Sequence, residues 1–146
     1  MTDFGIRLAH HARHEDGGAD EVDATGLVGR CLLVDRGDLA AYDWTTGVFT
    51  TDALWHPLDC SAKVPVGTTH ILFNLVVKDD LTSQHFFLRK YGNANNYNAG
   101  RLYTMVANEW AVQMMIVACD ADRKVEYVAA NTTWANIYLT VLGYFV

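Results

Sequence analysis

The stretch "THILFNLVVKDD", Thr69 to Asp80, decides the fold. Ile71, Phe73, Leu75 and Val77 fall on every second position, with His70, Asn74 and Lys78 between them. That period of two is what a strand with one face in a core and one in water requires. The same alternation recurs downstream. In "SQHFFLRKYG", Phe86 and Leu88 lie opposite His85, Arg89 and Tyr91, and in "AVQMMIVACD" Val112, Met114 and Ile116 share a side. In "RKVEYVAAN", Val125 and Tyr127 oppose Lys124 and Glu126. In the last run, "WANIYLTVLGYFV", Ile137, Leu139, Val141 and Phe145 fall together, leaving Trp134, Asn136, Tyr138, Thr140 and Tyr144 on the other face. "RLYTMVANEWAVQMM" carries Leu102, Met105, Val106 and Trp110 at helical spacing, but its β-branched and aromatic content favours two strands broken at Asn108-Glu109. The connecting segments "KDDLTS", "YGNANNYNAG", "CDADRK" and "ANTTWAN" hold the Asn, Asp, Gly and Ser that turns need. The expectation is an all-β protein, an antiparallel β-sandwich of jelly-roll-like kind.

Upstream of Cys31 the composition changes. "HHARHEDGGADEVDATGLVGR", His10 to Arg30, is polar, acidic and rich in glycine, with almost no aliphatic residues. Residues 1–30 are expected to form an extended N-terminal arm and residues 31–146 a compact domain. His10 and His14 stand at i and i+4, where a helix could bring them to one metal with His11, Glu15 or Asp16. The Gly17-Gly18 pair ends any such helix at once, and the general base of an H-E-x-x-H site is absent, so no metal is expected. Asp16, Asp20, Glu21 and Asp23 do not fit the calcium-loop pattern either.

The 146 residues carry 51% hydrophobic side chains and a net charge of −6, without a basic stripe, which argues against a nucleic-acid partner. No apolar run reaches the roughly 18 residues that span a bilayer, so no membrane insertion is expected. The first residues lack a secretory leader, and the three cysteines, Cys31, Cys60 and Cys119, lack C-x-x-C spacing; both suit a reduced cytoplasm. No G-x-S-x-G, phosphate loop or dinucleotide glycine pattern occurs. Cys60 has His56 and Asp59 near it only in sequence. Neither enzyme activity nor a cofactor is expected. Tyr91, Asn96, Tyr97, Trp134 and Tyr138, set among Asn93 and Asn95, form the candidate ligand or subunit interface, because rings flanked by amides serve both purposes.

The arm resembles the "H-A-x-x-H-x-x-G-G-x-D-x-I" segment of bacteriophage virion structural proteins through His10 or His11, Ala12, His14, Gly17, Gly18 and Asp20, with Val22 where Ile is usual. The segments from "LDCSAKVPVG" through "FFLRKYGNANNYN" to "WANIYLTVLGYFV" are similar to β-sandwich modules of such proteins. The resemblance implies a non-enzymatic component of a bacteriophage virion, assembled in the host cytoplasm. It would sit on the particle exterior as a capsid decoration (cement) protein or a short head or tail-fibre protein. Docking would use Phe4, Ile6, Leu8, His10, His14, Gly17, Gly18, Asp20, Leu27 and Val28 of the arm. The expected partners are its own copies in a homotrimer and a major capsid or tail protein. The alternative is a carbohydrate-binding tail-fibre adhesin that recognises a host surface glycan.

Overall fold

A computed structural model of the protein describes residues 32–146. The expected arm, its docking residues Phe4 to Val28 and its candidate metal ligands His10 and His14 lie outside the described residues, as does Cys31. Within them are nine strands: β1 (Leu33–Asp35), β2 (Trp44–Thr45), β3 (His56–Asp59), β4 (His70–Lys78), β5 (His85–Lys90), β6 (Gly100–Tyr103), β7 (Trp110–Ala118), β8 (Lys124–Ala129) and β9 (Asn136–Phe145). Every pairing is antiparallel. One sheet runs β1-β9-β4-β7 with β2 also on β9, and the second runs β3-β8-β5-β6.

The two sheets share one core. Ile71, Phe73, Leu75 and Val77 of β4 are fully buried, and so are Phe86 and Leu88 of β5, Val125 of β8 and Ile137, Leu139 and Val141 of β9. Phe49 meets both Phe86 and Tyr127 edge to face, with centroids 5.2 and 5.1 Å apart, while Phe86 and Tyr127 stack at 5.7 Å. These are the geometries in which ring quadrupoles attract. The break expected at Asn108-Glu109 is present. Asn108 has φ +62° and donates its N–H to the Asp79 carbonyl, so the chain turns between β6 and β7 instead of continuing as a helix.

The face reading of β9 fails at its end. Phe73 pairs with Val141 but Leu72 with Gly143, so Leu142 is an extra residue and the alternation changes phase behind it. Tyr144 packs against the core and Phe145 turns outward to meet His70, the reverse of the expected placement. The groups freed by this bulge are satisfied from the β1–β2 connection. Arg36 donates its backbone N–H to the Leu142 carbonyl and Nη1 to that of Val141, and Val141 N–H donates to Asp43 Oδ2 at 2.8 Å. Gly143 lies so close to β1 that a Cβ there would sit 2.7 Å from the Val34 carbonyl oxygen.

Asp43 is therefore the pin of this corner. Burial pushes its carboxyl pKa up, but hydrogen bonds from Arg36, the Val141 N–H and Lys63 outweigh burial and hold it below the usual carboxylate range. A depressed pKa contributes stability that is present above the unfolded-state value, near 3.9, and lost as pH falls through the folded value. Asp43→Asn is expected to cost about 1–3 kcal/mol at neutral pH. Its deficit relative to the parent protein should shrink as the pH drops below about 4 in chemical unfolding.

Candidate interaction surface

The outward face of the β1-β9-β4-β7 sheet is the least expected feature. Directly paired residues of antiparallel strands share a face. On β7 the residues opposite the buried Phe73, Leu75 and Val77 are Met115, Gln113 and Ala111. The inward set of β7 is thus the less apolar one. Trp110, Val112, Met114 and Ile116 point to solvent, 50%, 60%, 66% and 58% exposed. Sequence pattern alone grouped Val112, Met114 and Ile116; the register with β4 turns that group outward.

Across the sheet the same face continues in rows: Ile116 beside Leu72, Met114 beside Asn74 and Thr140, Val112 beside Val76 and Tyr138, and Trp110 beside Lys78 and Asn136. Tyr138 stacks on Tyr42 at 4.4 Å and lies 5.9 Å from Trp110, and the Lys78 ammonium sits 5.5 Å from the Trp110 ring. Three rings thus form a ridge whose charge is confined to one end. Exposed Met105 and Val106 carry the apolar surface around the strand edge, lining a groove with Leu102, Tyr103 and Trp110.

The five candidate interface residues do not form one site. Tyr91, Asn96 and Tyr97 lie in the β5–β6 connection, where Tyr97 is 96% exposed beside a shallow cleft lined by Asn93, Asn95 and Asn98. Tyr138 belongs to the sheet face. Trp134 corrects the expectation: it precedes β9, lies in the core and donates Nε1–H to the Ala130 carbonyl at 3.1 Å, so no ligand can stack on it. Asn96 is tied down as well, its Oδ1 accepting from Arg89 Nη1.

Arg89 is the functional-looking residue the sequence concealed. Expected on an open face, it is buried, donating Nε–H to Glu126 across the β5–β8 pair with its guanidinium 3.8 Å from the centre of the Trp55 ring. The separation of 37 positions between Arg89 and Glu126 hides this pair until the strands are registered. The pair supports architecture: Trp55 and Asn96 cover it.

Burial first, then the neighbouring Cys119, pushes the Cys60 thiol pKa up to about 12, and burial raises that of Cys119 too, so both stay protonated and inert. His56 shares a 2.8 Å hydrogen bond with Asp52, whose carboxyl it holds below its usual range, yet among the described residues no serine or cysteine donates to that histidine. Asp79 accepts the Leu81 N–H through Oδ1, the turn role expected for the Asp79-Asp80 pair. Among the described residues no group of three His, Cys, Asp or Glu side chains could hold a metal ion. No helix there is long and apolar enough to cross a membrane. The chain matches no protein-family model and no characterised protein sequence.

Proposed function

We propose that the protein is a non-enzymatic structural component of a bacteriophage virion. It is displayed on the particle exterior as a capsid decoration or short head or tail-fibre protein, self-associates as a homotrimer and docks through residues 1–30. One observation carries the reading: the most apolar face of β7 lies outward, and such a surface acts by being covered, through area and shape. The strand order supports the class. Without β2, the strands run 1-9-4-7 in one sheet and 3-8-5-6 in the other, the order of two nested Greek keys. That order supports reading the sandwich as a jelly roll, an architecture used by viral capsid and lectin domains. Deleting residues 2–29 tests the docking role. The truncated protein is expected to keep its far-UV spectrum and cooperative unfolding but to lose particle association; normal association after truncation would overturn the arm's role.

A second reading is favoured by Tyr97, whose solvent-facing ring beside three asparagine side chains is a surface on which a sugar could stack. A glycan-binding module requires Tyr91→Ala/Tyr97→Ala to abolish glycan or host-cell binding. Trp134→Ala is unsuitable for this test because it opens the core.

A further inference from the structure

We infer that the outward face of the β1-β9-β4-β7 sheet, centred on β7, is covered by a second copy of this chain. The four sheet edges show why β7 stands apart. Exposed edge strands template association, and proteins blunt them with short length, proline or charge. β1 has three residues and ends on Asp35; β3 has four and contains Pro57; β6 has four and contains Arg101. β7 has nine residues, Trp110–Ala118, with neither proline nor charge. Three edges are guarded and the longest is open.

The face beside that edge has the extent a stable contact needs. Trp110, Val112, Met114 and Ile116, with Met105 and Val106 around the edge, expose an area on the order of 700 Å², near one partner's share of a standard interface. The character of the surface selects the occupant. Its rows on β4 and β7 are apolar or amide between Lys78 and His70, while Glu109 lines the groove at the Trp110 end and Asp35 lies at the distant β1 edge. That apolar middle offers little to attract a charged partner, and two copies of a net-negative chain can meet there with charges of both signs, Lys78 and Glu109, at its margin. Its apolar middle of Val, Met, Ile and Trp can meet the same face of a second copy about a two-fold axis, or a different patch of it about a three-fold axis. The inference deepens the self-association in the proposed function. It is separable from the virion reading, since assembly of the purified chain is measured without particles.

Light scattering on the eluting full-length protein, across the micromolar range, tests it. The parent protein is expected to be oligomeric, and Val112→Lys and Met114→Lys to weaken assembly about 30-fold or more, because each places an unpaired ammonium in the contact. Val66→Lys, at an exposed loop position before β4, should assemble like the parent protein. Hydrogen exchange of the unsubstituted chain supplies a second readout, with β7 amides expected to lose protection on dilution. A parent chain that is monomeric throughout overturns the inference, as does a Val112→Lys/Met114→Lys protein that folds and assembles like the parent. A monomer in which these substitutions lower the melting temperature would overturn it too, because the face would then be covered within one chain.

Discussion

Glu126→Leu is expected to destabilise the domain by about 3–5 kcal/mol, the cost of stranding a buried charge. The Arg89 and Glu126 side chains are 7% and 11% exposed, and the Arg89 guanidinium is fixed by Glu126 through Nε, by Asn96 through Nη1 and by the Trp55 ring. Removing the carboxylate leaves a cation that cannot reach bulk water without dislodging Trp55 and the β5–β6 connection. The melting temperature should fall by roughly 10–20 °C. The partner substitution separates the penalty of a stranded charge from the net worth of the pair. Arg89→Met combined with Glu126→Leu should recover most of the loss, since a well-packed apolar pair often replaces a buried ion pair at little cost. Urea unfolding of the two single variants and the double variant completes the cycle. A loss below about 1 kcal/mol for Glu126→Leu would mean that Arg89 is solvated, as at exposed ion pairs.

Phe73→Ala should cost about 3–5 kcal/mol, the range for deleting a fully buried aromatic side chain. Phe73 stands in the middle of β4, opposite Met115 on β7 and Val141 on β9, with Trp44 tilted against it at 6.4 Å between centroids. Strands on both sides fix the surrounding backbone, so the cavity cannot collapse readily. Its neighbour Asn74 points to the other face, beside Met114 and Thr140, and Asn74→Ala should stay within about 0.5 kcal/mol. Similar losses for the two substitutions would contradict the strict alternation on which the face assignment of β7 depends.

That alternation marks what was legible in the sequence. β4 could be read outright because one set of its residues is large and apolar while the other includes His70, Asn74 and Lys78. β7 could be recognised as a strand but not oriented, because both of its faces are apolar and only pairing with β4 decides between them. The tail of β9 went astray for a local reason. A single extra residue, Leu142, exchanges the roles of Tyr144 and Phe145, and no property of Leu142 announces a bulge. The short strands β1, β2 and β3 carry too few residues to show a period.

The candidate site divides in the same way. The asparagine-rich turn with Tyr97 was visible because turn chemistry is local, and its exposure follows. Parity places Trp134 on a strand face, but it precedes β9 and packs inward from the loop. The Arg89–Glu126–Trp55 cluster and the Tyr42–Tyr138–Trp110 ridge join residues far apart in sequence, so only registered strands bring them together.

The proposed role as a particle component acting by surface contact is tested most directly by the protein composition of purified virions. The account predicts the chain in fixed stoichiometry with a capsid or tail protein, and labelled by a reagent that cannot enter the particle. Absence from purified virions, or presence only in trace amounts that washing removes, would contradict it.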